Sequence, residues 1–265
     1  SIPAIARLRP APNAADVARL ADMIASARRP LLIAGGGVVR SDAVAAFRTL
    51  MGQTGIPATA TPNARGTVPD DAPEHIGSGG VLGGTSITKA CHEADLIVAF
   101  GCKFSSMMPV NKPPSHPVPA GQKIVQIDID DEALGRNVPL ALGLQADARE
   151  ALDLLAAALA GRPLAMDDRW PESLRAERRR YRQRVEDIAD ARVTPGTNIL
   201  NEASFARQVA ALLPPDAIVC FDGGQIMEWT HTFIHPDDPR ANLFVPGMGH
   251  LGFGLPMAMP PKLLH

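Results

Sequence analysis

Short apolar runs alternate with amphipathic stretches over the first 160 residues of the chain. The apolar runs have no polar alternation and predict buried strands at 31–34, 56–61, 96–100 and 123–128, with a weaker one at 140–144. Helical periodicity predicts helices over 13–27, 41–50, 86–93 and 148–159. Buried strands separated by helices are typical of a parallel sheet covered on both faces. Residues 1–162 are therefore predicted to form one doubly wound α/β domain.

Polar residues at the helix starts support these bounds. Asn13 and Asp16 open the first predicted helix, and Ser41 or Asp42 is expected to cap the second. The side chains of such residues accept hydrogen bonds from the free amides of the first turn. Both stretches are therefore predicted to be helices that begin at these residues.

The pattern changes over residues 163–198, where six arginines crowd positions 175–184 among glutamates and aspartates. A phosphate or nucleic-acid patch is one interpretation of such a run. Because acids flank and interleave the arginines at helical spacing, a solvated charged helix that links two domains is favoured.

A second α/β unit is predicted over 199–265. Its first helix spans 201–213, with Phe205, Val209 and Leu212 on one apolar face. A buried strand is predicted at 217–221, and Asp222-Gly223-Gly224 follows it. This unit is expected to be the truncated beginning of a domain.

Composition and charge exclude several classes of protein. The net charge of −2 and the aromatic content of 4% argue against nucleic-acid binding. No apolar run reaches about 18 residues, so no membrane span is expected, and no signal peptide is recognisable. The three cysteines are far apart and suggest neither a disulfide framework nor a zinc site, which favours the cytoplasm. A first residue other than Met suggests processing or an excised fragment.

Three features could carry chemistry in the predicted sheet domain. Gly35-Gly36-Gly37 follows the first strand, where backbone amides can approach a phosphate. A tight strand-to-helix turn explains these glycines equally well. Glycines at 77–84 form a second loop, and Asp128, Asp130 and Asp131 form an acidic cluster for which a capped turn is favoured over a metal site.

The order of short motifs in this domain resembles the central domain of thiamine-diphosphate decarboxylases and carboligases of the acetolactate synthase type. The motifs occur in register over about 120 residues, whereas each alone is unspecific. They are Arg29-Pro30, Gly35-Gly36-Gly37, Gly55-Ile56-Pro57, Arg65-Gly66, Ala94-Asp95-Leu96-Ile97-Val98, Gly101, Ile127-Asp128-Ile129-Asp130, Asn137 and Asp147.

Acetolactate synthases bind FAD in this domain through a G-x-R-F-D-D-R segment. This chain has Gly101-Cys102-Lys103-Phe104-Ser105-Ser106-Met107 there, so both arginines and both aspartates are lost. Lys103 keeps one positive charge but cannot form a bidentate phosphate contact. FAD is therefore doubtful, and a CoA nucleotide or an empty pocket is equally open.

The second unit resembles the cofactor-binding domain of the same family. Asp222-Gly223-Gly224-Gln225 matches a D-x-G-Q segment, which implies that Gly224, Gln225 and Ile226 lie near the diphosphate of thiamine diphosphate. A strand that ends in glycine and leads into a helix also presents free amides to an anion on physical grounds.

The glycine-rich run at 247–259 is the most informative stretch of the chain and resembles G-x-G-x-M-G-x-x-L-P-A-A. The resemblance implies that the Gly249 carbonyl accepts a hydrogen bond from the pyrimidine ring and that Leu251 supports the bent cofactor. His250 lies between them, where its imidazole could reach a substrate, although a structural role is more usual for such a histidine. Together with Asp222-Gly223-Gly224-Gln225, the run is expected to form one wall of a pocket.

Other parts of the family pattern are not found. The family holds Mg²⁺ with a G-D-G…N segment and activates the cofactor with a glutamate of an N-terminal domain. Neither is in this sequence, so no catalytic residue and no metal ligand are assigned. The resemblance implies a lyase or transferase that acts on a 2-oxo acid or similar carbonyl compound, with this chain inactive by itself. The alternative is a non-catalytic module that binds FAD, NAD or CoA.

Assembly is implied by the same resemblance, because the active sites of the family form between subunits. A homodimer or homotetramer is therefore expected, with a small molecule as substrate.

Overall fold

A six-stranded parallel sheet organises the first half of the chain in the computed structural model, which describes residues 8–244 and 251–264 apart from the side chains of Val81 and Ile226. The strand order is β3-β2-β1-β4-β5-β6. The strands are β1 (Pro30–Ala34), β2 (Ala58–Ala60), β3 (His75–Ser78), β4 (Leu96–Phe100), β5 (Lys123–Asp128) and β6 (Leu142–Gln145). The order reverses between β1 and β4, so the predicted doubly wound parallel sheet is confirmed.

Helices cover both faces of this sheet, and a smaller unit follows it. The helices of the described residues are α1 (Ala14–Ser26), α2 (Gly36–Arg40), α3 (Val44–Thr54), α4 (Thr85–Glu93), α5 (Ala148–Leu159), α6 (Arg169–Ala189), α7 (Glu202–Leu212), α8 (Gln225–Phe233) and α9 (Gly254–Leu264). In the smaller unit, β7 (Val219–Phe221) pairs in parallel with β8 (Asn242–Phe244). None of the helices in the described part is long and apolar enough to cross a membrane.

The continuous apolar strands fill two cores, one on each face of the sheet. Leu32 and Val98 pack with α1, α3 and α5 on one face, whereas Ile33 and Ile97 belong to the other core beneath α4 and α6. All four side chains are fully buried. Burial on both faces explains why these strands show no alternation of polar and apolar residues.

The predicted start of the second helix is wrong. Gly36 to Arg40 already form α2, and α3 begins only at Val44 after Ala43, which provides no side-chain cap. The Ser41 hydroxyl donates to the Gly37 carbonyl at the end of α2, and Asp42 has a φ of 58°. The two residues therefore end one helix instead of opening the next.

β3 was not predicted, because its sequence His-Ile-Gly-Ser is too polar to resemble the other strands. Gly77, which the sequence assigned to a loop, lies within it. The strand forms at the edge of the sheet, where it pairs with β2 and has one neighbour.

α6 is less solvated than the sequence suggests. Trp170 and Leu174 are buried in the second core, and the Trp170 indole donates to the Pro30 carbonyl at 2.9 Å. The arginine-rich helix is therefore packed against the sheet by its apolar residues.

The apolar face predicted for α7 is exposed. Phe205 and Leu212 are 46% and 84% accessible, whereas the small residues Ala203 and Ala206 are buried. α7 contacts α6 and α8, and small side chains allow that close approach. The predicted buried strand at 217–221 is also shorter, since β7 begins at Val219 and only Phe221 is buried.

Arg65 and Gly66 join the smaller unit to the sheet domain. The Arg65 guanidinium is buried and donates from Nη2 to the His231 carbonyl at 2.7 Å and to the Ile234 carbonyl, and from Nη1 to Asn242 Oδ1 at 3.2 Å. Gly66 has a φ of 89°, and a Cβ there would lie 2.8 Å from the Pro236 carbonyl oxygen. The segment after α8 can therefore pack directly on this glycine.

The turns after β1 and β4 touch through bare backbone. The Gly37 amide donates to the Gly101 carbonyl at 3.0 Å, and a Cβ on Gly35 would lie only 2.1 Å from the Gly101 carbonyl oxygen. A side chain at position 35 would force the two turns apart at the centre of the sheet.

We expect Gly35→Ala to lower the free energy of unfolding by about 3 kcal/mol, since the new methyl group meets rigid backbone. Urea denaturation followed by circular dichroism measures this change. Gly52→Ala is the control, because a Cβ there meets nothing within 4 Å inside α3. The control should stabilise the protein by about 0.5–1 kcal/mol. A Gly35→Ala protein as stable as the control would show that the close contact is not needed.

Candidate functional site

A cleft opens at the carboxyl ends of β1, β4 and β5, beside the point where the strand order reverses. Its volume is about 1010 Å³. Parallel α/β sheets bind nucleotides at this position, and the volume is in the range of small-molecule and cofactor sites. The cleft is lined by residues of the turns after the strands, among them Gly36, Gly37, Arg40, Asn63, Gly101, Lys103, Asp128, Asp130 and Asp147.

The three predicted glycines divide between two roles. Gly36 and Gly37 line the cleft, whereas Gly35 does not. A Cβ on Gly37 would lie 2.5 Å from the Gly101 Cα, so close backbone packing accounts for this glycine as it does for Gly35. Gly36 is tight only against the Asn63 side chain at 3.2 Å. It is the member of the three whose missing side chain widens the cleft.

Lys103 lies in the cleft but is paired with an acid. Its Nζ donates to Asp130 Oδ2 at 2.7 Å, and this contact lowers the pKa of Asp130. Lys103 is about half exposed, so its charge is available to a ligand at the cost of loosening an exposed ion pair.

The acidic cluster acts as a capped turn, as the sequence indicated. The Asp128 carboxylate accepts from the Asp130 amide at 3.1 Å, and the Asp130 carboxylate accepts from the Glu132 amide at 3.2 Å. Burial raises the pKa of Asp128. Among the described residues, no group of three His, Cys, Asp or Glu side chains is arranged to hold a metal ion.

The sequence did not predict that Asp147, which lines the cleft, pairs with Arg9. The Arg9 guanidinium donates to the Ser41 carbonyl at 2.6 Å and to Asp147 Oδ1 at 3.2 Å, and Asp147 also caps α5. The separation of 138 positions along the chain left no local signal for this contact.

Asp222 holds together the two segments that were expected to form one wall. Its Oδ1 accepts from the Gly223 amide at 2.8 Å, while Oδ2 accepts from the Gly252 amide at 2.9 Å and the Gly254 amide at 3.4 Å. The backbone amides, that of Gly223 foremost, lower the pKa of Asp222. The carboxylate therefore joins the end of β7 to the start of α9.

The wall presents the amino end of α8. Gly224 has a φ of 93° and, with Gln225, is exposed where the helix begins. The first amides of a helix have no partner within it, so this end favours an anion. Backbone of Ile226 continues the first turn of α8.

The glycine-rich run is only partly described. Gly249 and His250 lie outside the described residues. Leu251 is 76% exposed, and its Cδ2 lies 3.8 Å from the position of a Cβ on Gly224. Among the described site residues, the structure therefore brings Leu251 next to the amino end of α8. Lys103, Gly36 and Gly37 belong to the separate cleft.

A cofactor with a diphosphate group fits the chemistry of this wall in part. The exposed start of α8 can donate to phosphate oxygens, whereas the neighbouring Asp222 adds a negative charge that a cation would have to offset. The described residues therefore offer backbone amides that can donate hydrogen bonds to a diphosphate, and no set of metal ligands.

Comparison with known proteins shows which family has this architecture. A family model described as "Thiamine pyrophosphate enzyme, central domain" matches residues 17–155, which is the six-stranded sheet and its helices.

Curated relatives extend the similarity over most of the chain. Acetolactate synthase of Mycobacterium bovis is 30% identical over 256 residues, which cover 95% of this chain and 40% of that protein. A probable acetolactate synthase large subunit of Methanocaldococcus jannaschii is 30% identical over 248 residues, 94% of this chain and 41% of that protein. Mouse 2-hydroxyacyl-CoA lyase 1 is 28% identical over 250 residues, 94% of this chain and 41% of that protein.

The chain thus spans about two fifths of the length of these relatives. From the match over its sheet domain and the six parallel strands found there, the chain belongs to the family of thiamine pyrophosphate enzymes.

Proposed function

We propose that this chain provides part of the cofactor pocket of a thiamine-diphosphate-dependent decarboxylase or carboligase that acts on a 2-oxo acid or a similar carbonyl compound. The observation that carries the proposal is the Asp222 carboxylate, which bonds to the amides of Gly223, Gly252 and Gly254. It places the start of α8 beside the glycine-rich segment, as a pocket wall requires.

In this proposal the amides of Gly224, Gln225 and Ile226 bind the diphosphate. In the complete enzyme the Gly249 carbonyl would accept a hydrogen bond from the pyrimidine and Leu251 would support the bent cofactor, and His250 is kept as a candidate binding residue. The bound cofactor would supply the carbanion chemistry, and the residues of this chain would bind and orient it. No residue of this chain is assigned as the catalytic acid or base.

Magnesium would offset the charge of the diphosphate, with ligands beyond those described for this chain. We infer that the activating glutamate is also supplied from elsewhere in the complete enzyme, so that the isolated chain lacks turnover. The names acetolactate synthase and 2-hydroxyacyl-CoA lyase among the relatives support transferase or lyase chemistry.

The proposed organisation is a central domain at 1–162, a helical linker at 163–198 and the first part of a cofactor domain at 199–265. Large apolar side chains are exposed in the third segment, including Leu212, Leu251, Leu255 and Leu263 at 76–84%. Exposed apolar surface of this kind supports association into a homodimer or homotetramer. The proposed location is the cytoplasm and the proposed substrate a small molecule.

A second function, nucleotide binding without turnover, is supported by the cleft of about 1010 Å³ at the carboxyl ends of the strands. FAD, NAD and CoA share an adenosine diphosphate group, which suits this position in a parallel sheet. Lys103 is a basic residue for the phosphates, although Asp128, Asp130 and Asp147 also line the cleft.

Thiamine diphosphate with Mg²⁺ should bind the chain in the millimolar range, and Asp222→Ala should weaken that binding by roughly tenfold. The loss of the carboxylate frees the segment at 252–254 from β7. Isothermal titration calorimetry measures both affinities.

Asp216→Ala serves as the matched control, because Asp216 is an exposed acid in the loop before β7. It should leave the affinity unchanged. A wild-type chain that binds adenosine diphosphate but gives no response to thiamine diphosphate would reject the first function in favour of the second.

Adenosine diphosphate should bind the cleft, and Lys103→Gln should weaken it by roughly threefold to tenfold, since one partly neutralised cation is lost. Lys123→Gln is the control, because Lys123 is exposed at the opposite, amino end of β5. Fluorescence titration with a labelled nucleotide provides the measurement. Equal affinities of the two variants would show that Lys103 does not contribute to nucleotide binding.

A further inference from the structure

A second cleft, of about 740 Å³, lies away from both sites described above. Its walls are α6, the edge strand β3 with the glycine loop after it, and the ends of α7 and α8. It shares no lining residue with the cleft of about 1010 Å³ at the carboxyl ends of β1, β4 and β5, or with the segments joined by Asp222.

Three arginines of this cleft share one carboxylate. Arg178 donates to Asp70 Oδ1 at 2.6 Å, and Arg182 donates to Asp70 Oδ2. Arg65 interacts with the Asp70 carboxylate electrostatically, without a hydrogen bond to it. The hydrogen bonds of Arg65 go to neutral oxygens. The cluster around Asp70 therefore has two more positive than negative charges.

The other charged groups of the cleft do not offset this excess. Arg179 pairs with Glu172 at 2.7 Å, and Arg207 pairs with Glu186 and Asp190 at 2.8 Å each. Arg175 also pairs with Glu172, at 3.0 Å, so these three cations and three acids balance among themselves. The excess belongs to Arg65, Arg178 and Arg182.

Two histidines flank Asp70 without changing the net charge of the cluster. His75 and His235 lie with their Nδ1 atoms 3.4 and 3.5 Å from Asp70 Oδ1. Burial lowers the pKa of His75 and lowers that of His235 to about 4, so both rings are neutral near pH 7. They leave the charge excess as it is.

The floor of the cleft also contains unsatisfied polar atoms. Arg65 and His231 line it and are each 2% exposed, and within the described residues Arg65 Nε and His231 Nε2 have no hydrogen-bond partner. His231 Nδ1 donates to the Met227 carbonyl at 2.8 Å, which leaves Nε2 as a bare acceptor that cannot bind an anion, so Arg65 Nε is the unsatisfied donor. Both side chains converge on Gly79, where a Cβ would lie 3.2 Å from His231 Cδ2 and 3.8 Å from Arg65 Cδ.

We propose that this cleft is a binding site for a small oxyanion, either a phosphoryl group or a carboxylate. The anion supplies the negative charge that the three arginines lack, and Arg182 at the cleft mouth is its first contact. Arg182 is about half exposed, so it can turn from Asp70 towards a ligand. The buried charge of Arg65 attracts the anion from below.

The position of the cleft gives the bound anion a structural consequence. Arg65 holds α8 through the His231 and Ile234 carbonyls, while Arg178 and Arg182 belong to α6. An anion that interacts with all three links the linker helix to the second unit. Binding should therefore stabilise the contact between these elements.

Titration of the whole chain with inorganic phosphate and with malonate, at constant ionic strength set by sodium chloride, tests the proposal. Phosphate or malonate should bind in the millimolar range, and the stronger of the two identifies the class of anion. Arg182→Gln should weaken that binding by roughly tenfold. Because Arg182 is half exposed, this variant should fold.

Arg180→Gln is the matched control, since Arg180 is on the same helix, is 77% exposed and does not line the cleft. Arg180→Gln should bind as the wild type does. The proposal is overturned if neither anion binds, if Arg182→Gln binds as tightly as the wild type, or if Arg180→Gln loses as much affinity as Arg182→Gln.

Discussion

The buried guanidinium of Arg65 is the interaction on which the arrangement of the two units depends. It extends from the sheet domain into the second unit, where its hydrogen bonds go to two carbonyls at the end of α8 and to Asn242 on β8. Burial lowers its pKa to about 10, so it stays charged near pH 7. A buried cation without such partners would be strongly unfavourable, which fixes the second unit in one position relative to the sheet.

That position determines where the start of α8 lies. The helix is held at its carboxyl end by Arg65, and the Asp222 carboxylate just before it binds the amides at 252–254. The amino end is left exposed between these two anchors. The anion site proposed at this helix start is thereby built from backbone amides, and the side chains of Arg65 and Asp222 determine where it lies.

The sheet was predictable because its chemistry is local. Continuous apolar runs predicted β1, β4 and β5, and helical periodicity predicted α5 with its observed bounds. β3 lacked that signal, since an edge strand with one polar end has little apolar character. The start of α3 was misplaced because Ser41 and Asp42 resemble caps although α2 already occupies the turn.

The sites were predictable to a smaller extent. The pairing of Asp222 with the glycine-rich segment followed from a family resemblance, and its hydrogen bonds now provide a physical reason for it. By contrast, Arg65 was recognisable only as one half of an Arg-Gly motif. Its partners lie 166 to 177 positions away, and periodicity carries no information on such contacts. The arginines of α6 likewise suggested a solvated surface, because Asp70 is distant in sequence.

Hydrogen–deuterium exchange of the Arg65→Met protein tests the role of this residue most directly. The account predicts that amides of α8 and β8 exchange much faster than in the wild type, while those of β1, β4 and β5 keep their protection. Unchanged protection of α8 and β8 in that variant would contradict the central claim.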